Sequence, residues 1–431
     1  MKRQQTTRPL RNVTILFVTL LIAAGSVDCG DGGPTGPSVA TRIVFAIQPS
    51  NGSVGKPLPR DVLVELRAEN GDLATGYRGT ITLAIGLNPN DGTLDGTLTR
   101  NVVSGVASFS DLLIDRAGHS YTLLASSGTL MVESDPFYIT RPSIYIAGGQ
   151  DDTVRVIDPE DYTLIAIVPV GSAPQDMEIT PDGALVFVAN CGDNTLSAIE
   201  TDNNTVVATI PVGDSGCELE ITPDGAQVWV ANYNGISVIE TATLAVVDEI
   251  TGVGSPRDIT FTPDLSTAYV VDGASLAEIP ISYGSVWATI FLPSSGYSAA
   301  CTPVGDRVYV TLSNNTVAVV ETATRELVTT VPVDRARWPV VVTPDGAFAY
   351  VATGNPTVSV ISIATNQVVA TMDVGGSAGG LAFSADGTTA YATVPSRNFV
   401  KTISTATRSV TGLFLVAGSP HGIAVMPAPL P

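Results

Sequence analysis

A chain of 431 residues in which 41 acidic side chains face 21 basic ones, for a net charge of −20, is poor material for a nucleic-acid binder, because its surface repels phosphate. Two histidines and four cysteines also argue against a histidine-rich metal site or a haem with two histidine ligands, so no metal and no cofactor are expected. Charged residues make up only 14% of the chain, and Val, Thr, Ile, Ala and Gly dominate, a mixture that favours strands and tight turns over helices.

Residues 1–25 read as a secretory signal. Lys2, Arg3, Arg8 and Arg11 precede the apolar run from Val13 to Ala24, which suits a signal and is short of the ~20 residues that cross a bilayer. Its removal leaves 17 basic against 41 acidic residues. Cleavage after Gly25 would release a soluble protein starting at Ser26. Alternatively Cys29, which opens a Gly/Pro-rich tail, is a lipidation candidate. The segment resembles bacterial lipoprotein starts, but Asp28 stands where a small residue is expected there. Membrane attachment, if any, would be through that lipid anchor only. Residues 26–39 form a flexible tether.

Residues 40–141 carry about seven short strand candidates separated by turn residues, among them Thr41 to Ile47, Val62 to Ala68, Thr80 to Ile85, Gly105 to Phe109 and Ser120 to Ala125. That density points to a two-sheet β-sandwich. The segments Phe45 to Ser50, Gly79 to Leu83 and Gly105 to Leu112 resemble bacterial immunoglobulin-like (Ig-like) domains of surface proteins, in which such modules are spacers or adhesive units.

Residues 142–428 are a repeat. Thr-Pro-Asp-Gly or a variant recurs at Thr180, Thr222, Thr262, Thr302, Thr343, Ser384 and Met426, at spacings of 42, 40, 40, 41, 41 and 42 residues. An aromatic strand follows six of these turns, and Tyr145 opens the array with another. Four strands per ~41 residues is one propeller blade. The fold class is therefore all-β, with an Ig-like β-sandwich followed by a seven-bladed β-propeller. The first unit lacks an innermost strand, which the C-terminal strand from His421 to Met426 is expected to supply, closing the ring. Phe187-Val188-Ala189-Asn190, Trp229-Val230-Ala231-Asn232 and Tyr350-Val351-Ala352-Thr353 make the array resemble the YVTN family of surface-layer propellers. That resemblance implies the fold and leaves the task open.

Propellers usually bind ligands where loops enter the innermost strands. Five positions before each turn lie Gln175, Cys217, Arg257, Tyr297, Trp338, Gly379 and His421; one further in come Asp176, Glu218, Asp258, Ser298, Pro339, Gly380 and Gly422. The ligand-binding candidates are Gln175, Asp176, Glu218, Arg257, Asp258, Tyr297, Arg337, Trp338 and His421. Aromatic rings would stack on a planar or sugar-like ligand and Arg257 would pair with an anion, whereas the three acids would favour a cation. Cys191 and Cys217 fall on one face of adjacent units, and a disulfide between them is expected, stabilising by about 3 kcal/mol. Cys301 aligns with packing positions and reads as a buried free thiol.

No residue is assigned a catalytic role. The expected function is that of a non-catalytic, exported cell-envelope binding or scaffold protein, a monomer with an unknown protein or glycan partner at the cell surface and no nucleic acid. A lactonase-like propeller hydrolase is the alternative, with Arg257, His421 and the acids as its only candidates.

Overall fold

The Thr-Pro-Asp-Gly turns build themselves from their own side chains. In the computed structural model, which describes residues 39–428 except Asn234, the Thr180 hydroxyl donates to Asp182 Oδ1 (2.6 Å) and accepts from the backbone of Leu185 (3.0 Å). Asp182 Oδ1 also accepts from Ala184 N–H. Gly183 follows at φ 75°, in the left-handed region where glycine costs least. The same bonds recur at Thr222 and Asp224 and at Thr343 and Asp345. A threonine at the end of the third strand then donates to the glycine carbonyl, as Thr201 does to Gly183.

These turns organise seven consecutive four-stranded antiparallel sheets. Sheets II to VII each take four successive strands, beginning at Pro174–Ile179, Glu218–Ile221, Pro256–Phe261, Gly296–Cys301, Ala336–Val342 and Leu381–Phe383 respectively. Sheet I combines Ile144–Gly148, Thr153–Ile157 and Leu164–Pro169 with the C-terminal Pro420–Val425, which pairs with Ile144–Gly148. The first strands contact one another in succession, and Pro420–Val425 touches the first strands of both VII and II. The second-strand aromatics Tyr145, Phe187, Trp229, Tyr269, Tyr309, Tyr350 and Tyr391 are all buried. Each helps fill the core between neighbouring sheets.

The N-terminal strands form their own core around Val64, Ile81, Phe109, Tyr121 and Leu123. They sort into sheets of three (42–47, 62–67, 106–109) and four strands (80–85, 99–101, 123–127, 130–133), with two smaller sheets beside them. The expected strand from Ser120 to Ala125 is two strands, Gly118–Tyr121 and Leu123–Ser127, in different sheets. The break has a local cause: Ser120 has φ 72°, and the Thr122 hydroxyl is engaged by Leu87 N–H and by Glu133. Among the described residues no helix is long and apolar enough to cross a membrane. The signal, most of the tether and Cys29 lie outside the described residues.

Candidate ligand-binding channel

The first strands surround a channel of about 690 Å³. Eight of the nine ligand-binding candidates line it: Gln175, Asp176, Glu218, Arg257, Asp258, Tyr297, Arg337 and His421. The ninth, Trp338, lies on the strand Ala336–Val342, and its side chain is outside the described set. Cys191 and Cys217 are joined, with Cα atoms 4.9 Å apart, linking sheet II to the start of sheet III beside the mouth. Cys301 is free and only partly buried rather than fully so, packed against the core that sheets IV and V share. Desolvation pushes its thiol up to about 12.

The channel wall divides into three sectors. One is acidic. Asp176 and Glu178 from sheet II, Glu218 and Glu220 from III and Asp258 from IV all face it. Glu178 and Glu220 escaped the sequence reading, although the alternation of a strand places residues i and i+2 on one face. Three of these carboxylates are tied to the next sheet. Leu219 N–H donates to Asp176 (3.0 Å), Ile221 N–H to Glu178 (2.5 Å) and Ala299 N–H to Asp258 (2.8 Å). They satisfy the edges of the innermost strands, which would otherwise present unpaired donors. Glu218 and Glu220 accept no such backbone bond; Glu218 instead shares a hydrogen bond with Asp176. Side by side, the two carboxyls raise the cost of ionising both.

All five acids are held above the ordinary carboxylate range. Desolvation inside the ring is the main cause, and mutual repulsion among the acids adds to it at Glu178, Glu218, Glu220 and Asp258. Glu218 keeps an exposed side chain on the open channel, so water screens part of the effect there.

The second sector is nearly bare backbone. A Cβ at Gly380 would lie 2.6 Å from the His421 carbonyl oxygen, and one at Gly422 would lie 2.6 Å from that of Gln175. Sheets VII, I and II approach so closely that only glycine fits. His421 turns its Nδ1 to the Ser419 carbonyl (2.8 Å).

The third sector is aromatic and cationic. The Tyr297 ring has the Arg257 guanidinium 5.0 Å and the Arg337 guanidinium 5.8 Å from its centroid. Arg257 also donates to the Gly296 carbonyl (3.4 Å). Such contacts hold the ring at the mouth with its charged neighbours. Among the described residues no group of three or more His, Cys, Asp or Glu is arranged to hold a metal ion.

No family model matches the chain, and no curated protein matches it. Solved structures do. Hydrazine synthase of Kuenenia stuttgartiensis is similar at a TM-score of 0.55 and 21% identity, over 66% of this chain and 92% of that one. A functionally unknown protein from Desulfotomaculum acetoxidans DSM 771 is similar at 0.58 and 18%, over 66% of this chain and 99% of that one. The dihydro-heme d1 dehydrogenase NirN, solved in complex with DHE, is similar at 0.51 and 18%, over 63% of each chain. At these identities the likeness is one of fold: the chain is nearly all β, built of four-stranded sheets in a propeller-like array.

Proposed function

We propose that this is an exported, non-catalytic binding protein: a seven-bladed propeller, closed by its C-terminal strand, behind an N-terminal Ig-like sandwich. In this reading the channel captures a small ligand that carries an amine, such as a polyamine or an amino sugar. The observation that carries it is the one-sided channel, in which Glu218 and Glu220 project without a cationic partner while Tyr297 waits at the mouth between two guanidinium groups. An ammonium group would relieve the repulsion among the acids, and the aromatic ring would cover the apolar part of the ligand. Export rests on the N-terminal segment, and intact mass of the native protein separates a lipidated start at Cys29 from a start at Ser26.

Titration calorimetry with spermidine, glucosamine and a neutral disaccharide tests the site. Binding of an amine that strengthens as the acids ionise toward pH 8, and weakens at least tenfold in Glu218→Gln and in Tyr297→Ala, is expected. No binding of any of the three, or amine binding indifferent to both substitutions, overturns it.

One observation favours a second reading. The Asp176 and Glu218 carboxyls lie together in the channel and both are held above the ordinary range, by desolvation first. A carboxyl raised in that way is what general acid catalysis uses. A hydrolase of the propeller-lactonase type would turn over lactones and lose that activity in His421→Ala.

A further inference from the structure

Seven copies of one structural unit in a single chain serve as controls for one another, and sheet IV departs from the other six. The turn between third and fourth strands aligns them, because each contains a residue at φ between 52° and 61°, from Tyr162 in sheet I through Gly284 in IV to Arg408 in VII. One position before it the other units carry Asp, Asn or Thr; sheet IV carries Tyr283. Three positions after it they carry Ile, Val or Thr; sheet IV carries Trp287. Seven positions after it they carry Pro, Thr, Asp or Leu; sheet IV carries Phe291.

The backbone changes with the sequence. In the other six sheets the residue at the Trp287 position is skipped by a register shift between the third and fourth strands. In sheet IV the ladder ends before that position: the fourth strand is only Ala288–Phe291, and Trp287 N–H donates to the carbonyl of Glu278, the residue that Ala288 faces. Tyr283, Trp287 and Phe291 are 74%, 68% and 82% exposed. Five aromatic residues are exposed among the described side chains, and these are three of them. Tyr283 and Trp287 set their rings nearly parallel, 21° apart, with centroids separated by 6.4 Å.

The patch lies on the outer strand of sheet IV, with Tyr283 at the end away from the channel mouth and Phe291, which pairs with Ser275, at the mouth-side end but on the strand farthest from the channel. The first strand of sheet IV runs from Arg257 at the mouth to the turn at residues 262–266, and the second returns. The third runs away again, so the turn holding Tyr283 lies at the far end.

We propose that Tyr283, Trp287 and Phe291 form a stacking surface for a neutral polysaccharide chain. A pyranose ring presents C–H bonds on its faces and hydroxyls around its edge, so it pairs with exposed rings set among polar groups. Sheet IV offers that arrangement. Trp287, Thr289 and Phe291 alternate outward while Ala288 and Ile290 turn in, which spaces Trp287 and Phe291 by about 13 Å along the strand. Thr289 places a hydroxyl between them. The Asp248 carboxylate of sheet III stands against the turn, 3.5 Å from where a Cβ on Gly284 would be, as an acceptor for sugar hydroxyls.

Charge and area decide against other occupants. Apart from Arg257 at the mouth, sheet IV carries no Lys or Arg, and the neighbouring Arg325 is already paired with Glu278, which leaves the outer strand without a free cation for an anionic glycan, a nucleic acid or an anionic lipid headgroup. At these exposures three aromatic side chains offer on the order of 400–500 Å². A stable protein interface needs about 800 Å² per partner, whereas a single glycan strand is narrow enough to be served by this stripe. A strand adding to the sheet edge pairs through backbone, and the four-residue outer strand of sheet IV is shorter than the other six, so it offers the least to such a partner.

The test is affinity electrophoresis of the full chain through hydroxyethyl cellulose, xylan, galactomannan and soluble starch, with pull-down on insoluble cellulose and chitin. Retention by at least one is expected, weakened at least tenfold in Trp287→Ala and in Phe291→Ala, and unchanged in Val328→Ala at the matching position of sheet V. The substituted residues are exposed, so melting temperatures should stay at the unsubstituted value and show that the variants are folded. Retention by none of the six polysaccharides, or retention indifferent to Trp287 and Phe291, overturns the proposal. So does a Trp287-dependent dimer in sedimentation, or Trp287-dependent binding to phosphatidylcholine vesicles in place of polysaccharide binding.

Discussion

At the first turn of sheet IV the repeat departs from its own rule, and Leu265 stands at φ 60° where the other turns place glycine. A side chain in the left-handed region costs about 1–2 kcal/mol, since its Cβ crowds the neighbouring carbonyl. Leu265→Gly should therefore raise stability by about 1 kcal/mol in urea unfolding, while Gly346→Leu, at φ 67° in sheet VI, should lower it comparably. The turn residues act through bonds closed within six positions, and for that reason their roles were readable from spacing alone. Tyr283, Trp287 and Phe291 were equally visible in the sequence. Their significance depends on exposure and on the shortened outer strand, neither of which the spacing of a repeat conveys.

The first strands divide their acids between two environments. Asp176, Glu178 and Asp258 take the backbone donors of the next sheet, and Glu218 and Glu220 are the two on which the proposed ligand contact rests. Burial raises all five carboxyls, and repulsion adds to it at Glu178, Glu218, Glu220 and Asp258, so the folded protein binds more protons than the unfolded chain between pH ~4 and neutrality. Their contribution to stability is full below about pH 4, the ordinary carboxylate value, and is lost as pH rises through the folded values. Thermal unfolding should thus show a melting temperature that declines from pH 5 to pH 8. In the Glu218→Gln and Glu220→Gln double variant the decline should be visibly shallower, with the gain concentrated at pH 8. A parallel decline in both proteins would mean that the channel acids titrate normally.

The N-terminal strands meet the repeat array through its turns. Asp202 accepts from the backbone N–H of His119 (2.9 Å) and lies 3.0 Å from its Nδ1, and Lys56 pairs with Glu160 at 2.7 Å. The His119 ring stacks on Tyr138. Desolvation lowers the His119 pKa, but the Asp202 carboxylate, helped by Asp182, more than offsets it and leaves the group raised. That contribution is full below about pH 6.5 and fades as pH rises through the higher folded value. The Lys56 pair is exposed and adds little. Hydrogen exchange should therefore be slow at residues 118–121 and 201–204 at pH 6 and faster at pH 8 after correction for the intrinsic rate. In Asp202→Ala the protection should be lost at both pH values. Protection retained in that variant would place the joint elsewhere.

Strand order, turn chemistry and the buried aromatic of each repeat unit followed from the sequence, because residues a few positions apart along the chain determine them. The pairing of Pro420–Val425 with Ile144–Gly148 joins the two ends of the array across nearly its whole length; spacing anticipated it, because the first unit lacks an innermost strand and the segment from His421 to Met426 lacks outer ones. Three features belonged to the tertiary structure: which carboxylates the neighbouring backbone engages, where the wall is bare glycine, and the contact between His119 and Asp202. Each joins residues about 40 or more positions apart, and only the packing of one sheet against the next brings them within hydrogen-bonding or van der Waals reach.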